Sequence, residues 1–472
     1  MSALPLLTLA LALQLTPCQV PGASDPARCG TLEVYENRTE ATGRKIPIKI
    51  VVFPAKSEKP APDPLFILAG GPGQSATEFA GVLIRDFAFA HDRRDIVFVD
   101  QRGTGGSNPL QCPLGGSFDE VVQSVAIGVD ADLPAVRACR AELERRADLR
   151  FYTTPFAMDD LDDVRRALGY ERINLWAASY GTRAALVYMR QHPGVVRSAI
   201  LRALGGVDLK LPATVAPDGQ RALDRLFGAC GMDDGCRTAY PNAELSLRKV
   251  LETLKAQPTS VRVTDPRTKQ RHTVRVDDNV FGTTLFFLLF ASDWSRDIPR
   301  IVHAAAHGDY TPLAAFLPLS VLTAGPVHWG MRRTVLCAED VPLISEEDIR
   351  GSGRGTMVGD NSNLGLMAAC REWPAGELPK GYNEPVKSEV PILAISGDED
   401  PVLPPHRADE ALKWLPNGTH VVVPGAAHGP SFPGCTTDLA KRFLEAGSGA
   451  DLDTACALTH ERPPFTTAAS AK

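Results

Sequence analysis

Three short stretches carry residue types able to do nucleophilic chemistry. In the first, a strand-like run from Ile173 to Trp176 leads into AASYGTR, so that Ser179 is followed two residues later by Gly181 and at once by the helix-forming segment TRAALVYMRQH. This is the pattern of a nucleophile elbow, a strained strand-to-helix turn that lifts a serine hydroxyl above a sheet. Small residues are needed two before and two after the serine because two backbones crowd there, and Ala177 fills the first of those places. A serine hydroxyl attacks only when a histidine takes its proton, and the histidine needs a carboxylate to hold its tautomer. The order along the chain for such an elbow is serine, acid, histidine. Downstream, PILAIS (391–396) opens into SGDEDPV and HVVVPG (420–425) opens into AAHG, which makes His428 the candidate base and Asp400 the candidate acid. Asp398 and Glu399 share the acid's loop and are its rivals.

A developing oxyanion needs two backbone N–H groups aimed at it. Tyr180, the residue after the serine, supplies one candidate, and the glycine-rich AGGPG (69–73) supplies the other at Gly71. The same loop is not a phosphate cradle, since no Lys-Ser/Thr follows it and no G-x-G-x-x-G spacing is present. No cysteine and histidine cluster has zinc spacing, and His303 and His307 stand four apart without a third ligand, so the reading includes no metal and no organic cofactor.

These residues need a sheet to hold them. Thr31–Tyr35 and Lys45–Phe53 alternate as an antiparallel pair, while Leu65–Leu68, Ile96–Val99, Ile173–Trp176 and Val195–Leu204 are compact apolar runs suited to buried parallel strands. With the helical spacing of Asp159–Leu168 between them, they give the strand–helix–strand rhythm of an α/β sheet. The rhythm stops near Gly206 and returns at Val390. Residues 210–385 read as mainly helical, with helices at 219–229, 243–256, 279–291 and 297–308 and a polar-faced hairpin at 261–276. The sheet domain is thus expected in two pieces, 18–209 and 386–472, split by that helical block, which lies over the sheet edge where ligands bind.

Lys+Arg is 50 against Asp+Glu 56, a formal charge of −6, and basic residues gather into no groove, so nothing favours nucleic acid as a partner. The apolar run ALPLLTLALALQL at 3–15 is too short to span a bilayer but has the length of a signal-peptide core, and residues 1–17 are read as a signal peptide with no stable membrane insertion of the mature chain. Pro17 before Cys18 argues against lipid attachment there. Ten cysteines, none in a CxxC pair, favour disulfides and hence a periplasmic or extracellular location. Pairing by proximity gives Cys18–Cys29, Cys112–Cys139, Cys230–Cys236, Cys337–Cys370 and Cys435–Cys456.

Together, LAGGPGQS, FVDQRGTGGSNPLQC, INLWAASYGTRAAL, ISGDEDPV and PGAAHG closely resemble the secreted tripeptidyl aminopeptidase and proline iminopeptidase branch of the α/β-hydrolase serine peptidases. The resemblance runs from about Cys29 to Cys456 and implies an α/β-hydrolase fold with a large helical cap inserted after the sixth strand. It implies Ser179 as nucleophile, Asp400 as acid, His428 as base, Gly71 and Tyr180 as the oxyanion hole, and Asp100 to Gly103 as a brace. Ala69 departs from the histidine that often precedes GGPG in iminopeptidases. The implied activity is release of N-terminal residues or tripeptides from peptides, after proline or a small apolar residue. The same machinery serves an esterase, lactonase or amidase. Short peptides with a free N-terminus are the implied partners, and their ammonium wants a nearby carboxylate, for which Glu339 and then Asp340 in CAED (337–340) are the candidates. Phe281, Phe286, Phe287 and Phe290 are candidates for an apolar pocket.

Overall fold

The computed structural model describes residues 13–324, 326–429 and 434–467. Residues 3–12 of the apolar N-terminal run lie outside the described residues.

Eleven strands are described: β1 Thr16–Cys18, β2 Ala27–Tyr35, β3 Lys45–Phe53, β4 Leu65–Leu68, β5 Ile96–Val99, β6 Ile173–Ala178, β7 Val196–Arg202, β8 Thr259–Thr264, β9 Arg271–Val276, β10 Ile392–Gly397 and β11 Gly418–Val423. Nine of them form one sheet in the order β1-β2-β3-β5-β4-β6-β7-β10-β11. Pairing is antiparallel from β1 to β5 and parallel from β5 through β4, β6, β7 and β10 to β11. Alternate residues of the parallel strands feed opposite faces, as a two-sided buried sheet requires. Phe66, Leu68, Ile392 and Ala394 pack with helices Thr154–Ala167 and Tyr180–Gln191. On the other face, Leu65 and Ile67 pack with Ala80 and Phe87, and Leu393 and Ile395 with Leu439 and Phe443 of helix Cys435–Ala446.

Two sequence expectations shift. The short edge strand β1, stitched to β2 by the Cys18–Cys29 disulfide, adds a strand that no apolar pattern marks, so the helical insertion follows the seventh strand, not the sixth. Pro17 is tolerated in it because an edge strand has one unpaired side. The helix expected at 219–229 runs over Leu211–Met232, with Pro217 inside its early turns.

The residues from 210 to 385 pack in two places. Helices Leu211–Met232, Ala243–Ala256, Asp278–Leu288 and Ile298–Ala306 and the β8–β9 hairpin share a core of their own, joined by Phe118, Val122 and Ala126. Beyond it, Met331 and Val335 of helix Trp329–Glu339, Ala369 of helix Asn361–Arg371, Trp373 and Tyr382 belong to the core of the sheet. The Cys337–Cys370 disulfide joins those two helices, and all five pairs expected from proximity form. Among the described residues, no helix is long and apolar enough to cross a membrane.

Candidate active site

Because β6, β7, β10 and β11 are consecutive parallel neighbours and β4 flanks β6, the loops after β4, β6, β10 and β11 open at one edge of the sheet. Gly71, Ser179, Asp400 and His428 lie on those loops.

Ser179 follows β6 directly, with φ 56° and ψ −128°, a conformation costing roughly 1–3 kcal/mol for a side-chain-bearing residue. Its surroundings hold it there. Its N–H donates to the Arg202 carbonyl at 3.0 Å, and its carbonyl accepts from the Thr182 N–H at 2.9 Å and hydroxyl at 2.7 Å. Gly181 is obligatory for the close approach of helix to strand: a Cβ there would lie 2.6 Å from the Leu68 carbonyl oxygen and 2.8 Å from that of Ala69. Ser179 is half-buried, and the AGGPG loop passes beside it, a Cβ on Gly70 falling 3.4 Å from the serine Cβ. Gly71 is exposed and has φ +110°, which glycine alone adopts without strain.

Of the three acids after β10, Asp400 alone reaches the histidine. His428 Nδ1 lies 2.7 Å from Asp400 Oδ2, while Asp400 Oδ1 accepts the Val402 and Leu403 N–H groups, each at 2.8 Å. Burial, the largest single influence, pushes the Asp400 carboxyl up, but His428 and the two N–H donors outweigh it and hold it below the ordinary carboxylate range. Asp398 is occupied by the Gly425 N–H at 2.6 Å and by Arg225. Glu399 is buried 3.5 Å from Arg462, and that burial raises its pKa. The His428 ring meets Phe290 edge-on at 5.2 Å. Phe286 and Phe287 adjoin Phe290 and are half-buried, whereas Phe281 is wholly inside the helical core.

A second Ser–His–Asp arrangement shows what chemistry requires beyond spacing. His420 sits 2.8 Å from Asp409 Oδ1 and 2.9 Å from Ser396 Oγ, yet Ser396 is fully buried in β10, where no substrate reaches it. It clasps helix Pro405–Leu412 to the sheet.

Tyr180, first in the helix after Ser179, anchors its phenol below the site, 2.7 Å from Thr154 Oγ1. Burial raises that phenol's pKa, so it stays protonated. Thr154 leads on to Glu339, one of the two acids expected at the amine site. Glu339 and Asp340 are both buried and their oxygens are already engaged. Glu339 accepts from the Thr154 N–H at 2.7 Å, the Thr154 hydroxyl at 2.8 Å and the Tyr382 hydroxyl at 2.5 Å. Asp340 holds Arg183 through two bonds of 2.7 Å. Helix Trp329–Glu339 packs on the sheet core, so it turns these carboxylates inward under the helix that carries Tyr180.

Asp100 braces the site as expected of its loop, accepting from Ser75 Oγ at 2.7 Å, Thr77 N–H at 2.8 Å, Thr77 Oγ1 at 2.7 Å and Gly106 N–H at 2.9 Å. Arg102 is wholly buried, paired with Asp160 through bonds of 2.6 and 2.7 Å. Sequence reading missed Arg202, which closes β7 beside the elbow. Its carbonyl holds the Ser179 N–H, and its guanidinium donates to the His428 carbonyl at 3.4 Å. Burial lowers its pKa to about 10 while Asp400 and Asp86 pull the other way, so it stays charged at neutral pH. A charged residue ending an apolar strand next to the elbow strand was the available signal.

An α/beta hydrolase fold model matches residues 63–226, and a model described as TAP-like protein matches residues 356–456. Serine protease Hip1 of Mycobacterium tuberculosis is 24% identical over 477 residues, covering 92% of this chain and 89% of the relative. Tripeptidyl aminopeptidase of Streptomyces coelicolor is 31% identical over 189 residues, 37% of this chain and 35% of that protein. A protein of the same organism named "probable proline iminopeptidase" is 33% identical over 138 residues, 29% of this chain and 32% of that one. With its mixed sheet and its serine turn, the chain has the α/β-hydrolase fold, and these relatives make it similar to the tripeptidyl aminopeptidases and proline iminopeptidases.

Proposed function

We propose that this hydrolase is an exported serine exopeptidase that cleaves short peptides near a free N-terminus. The observation that carries the reading is the bonded pair of His428 and Asp400 on loops at the same sheet edge as the strained Ser179 turn. Ser179 attacks the scissile carbonyl while His428 takes its proton. Asp400 holds the ring with Nδ1–H toward its own carboxylate. The negative oxygen that forms is met by the N–H groups of Tyr180 and Gly71. His428 then protonates the departing amine, and a water, activated in the same way, releases the acyl group from the serine. The helical unit from Leu211 to Val321 acts as the cap, and Phe286, Phe287 and Phe290 favour an apolar side chain or prolyl ring on the acyl side. Five disulfides support export to the periplasm or beyond the cell.

One observation favours a second reading, an esterase or amidase acting on non-peptide substrates: the two carboxylates first assigned to the ammonium group are buried and engaged. Initial rates on Pro-anilide, Ala-Ala-Pro-anilide, its N-acetylated twin and a short-chain ester, each beside Ser179→Ala, separate the two. The peptidase reading expects turnover of free-amine anilides and loss on acetylation. Turnover of the ester alone, abolished by Ser179→Ala, would overturn it and leave the hydrolase.

A further inference from the structure

The chain leaving the helical cap returns to the sheet domain directly against the AGGPG loop. Val327 forms a single antiparallel bridge with Gln74, and the next residue, His328, is buried. Its backbone N–H donates to the Gly73 carbonyl at 2.8 Å. Its ring reaches the same carbonyl through Nδ1 at 3.0 Å, and the Gly105 N–H points at its Nε2 at 3.1 Å. A backbone N–H can only donate, so Nε2 carries the lone pair and the ring proton resides on Nδ1, facing the carbonyl that accepts it. One tautomer satisfies all three groups.

The clamp leaves the loop little freedom. Gly73 has φ +95°, and a Cβ on it would lie 2.8 Å from the His328 carbonyl oxygen and 3.3 Å from the Arg332 Cβ. At Gly105, φ is +45° and a Cβ would lie 2.2 Å from Asp100 Oδ2, so the second loop held by His328 is itself seated on Asp100. Asp100 in turn binds Ser75 and Thr77, just beyond the glycines. The chain from Gly73 to Thr77, which begins two residues after Gly71, is therefore fixed at its start by His328 and at its end by Asp100.

We propose that His328 is a positioning residue for hydrolysis: by holding the Gly73 carbonyl and the Gly105 N–H, it sets the aim of the Gly71 N–H at the developing oxyanion. The inference rests on the reading of Ser179 as nucleophile and Gly71 as an oxyanion donor. A donor that stabilises only the transition state must be aimed beforehand, and removing one outright costs roughly 10²–10³ in kcat. A misaimed donor costs less.

Three variants separate aim from bulk packing. His328→Asn keeps an N–H near the position of Nδ1 and so the side-chain bond to Gly73, His328→Gln offers an oxygen near Nε2 and so keeps only the side-chain bond to Gly105, and His328→Phe keeps neither, while the backbone N–H bond to Gly73 survives in all three. Each is measured for kcat and KM on the substrate that turns over, for inhibition by a peptide aldehyde that mimics the tetrahedral state, and for Tm. The expected result is a roughly 10–100-fold fall in kcat for His328→Gln and His328→Phe with KM within about twofold, the aldehyde weakening in parallel, and His328→Asn within about threefold of the parent. Folded His328→Phe or His328→Gln with kcat within about threefold overturns the inference, as does a fall in all three that tracks Tm alone. Should Ser179→Ala retain activity, the underlying reading fails instead.

Discussion

Replacing Asp400 by Asn changes one atom and reverses the logic of the site. The carboxylate now accepts on both sides: Oδ1 from Val402 and Leu403, each at 2.8 Å, and Oδ2 from His428 Nδ1 at 2.7 Å. An amide has one accepting end and one donating end. Turned with its NH₂ toward Val402 and Leu403, it leaves two N–H groups unsatisfied at about 1–3 kcal/mol each, to keep a single bond to the histidine. The other orientation is therefore favoured: the oxygen stays with the two N–H groups and the NH₂ faces His428. The imidazole must then accept at Nδ1, its proton moves to Nε2, and it can no longer take the proton of Ser179. A wrong tautomer in such a triad costs on the order of 10⁴ in kcat, about 5 kcal/mol, with KM little changed. The assay is kcat on the preferred substrate, with the Ser179→Ala rate as floor and the ¹⁵N shifts of the His428 ring as a direct view of the tautomer. Stability gives a second readout. The folded Asp400 carboxyl lies below its unfolded value near 3.9, so it adds stability above that pH that is lost as pH falls through the folded value. Asp400→Asn should flatten that acid limb. A kcat within about tenfold of the parent would refute the assignment and send the test to Asp398 and Glu399.

Glu339→Gln should lower Tm, by about 1–3 kcal/mol of stability, because an amide NH₂ must then face the Thr154 or Tyr382 donors; the preference for free over acetylated peptides should not move. Loss of that preference with Tm intact would return Glu339 to the ammonium site. Among the disulfides, Cys337–Cys370 closes a loop with sequence separation 33 and Cys230–Cys236 one of 6. Loop-closure entropy makes the first worth about 1.5 kcal/mol more, so Cys→Ser at both of its ends should lower the denaturant midpoint further than the same change at 230 and 236. Equal or reversed losses would count against that account.

The sheet and the elbow are legible from residue pattern alone, because both are local. Strands such as Phe66–Leu68 and Ile392–Ile395 are apolar on both faces, and only a sheet covered twice can bury them. Ser179 between a strand and a helix, with Gly181 behind it, announces a tight turn whatever lies around it. The disulfides were legible for the same reason: their partners are at most 33 residues apart, within reach of neighbouring elements. Selection among equals was a different matter. Asp398, Glu399 and Asp400 are adjacent in one loop, and their fates diverge because Gly425, Arg462 and His428 each meet a different one. Glu339 and Asp340 are neighbours in CAED that nothing local tells apart; helix Trp329–Glu339 packs on the sheet and turns them onto Thr154 and Arg183. His328 meets Gly73 across 255 residues. Periodicity reports which face of an element is buried; which polar group meets which is fixed only when distant loops pack against one another at the sheet edge, where each buried donor must find an acceptor.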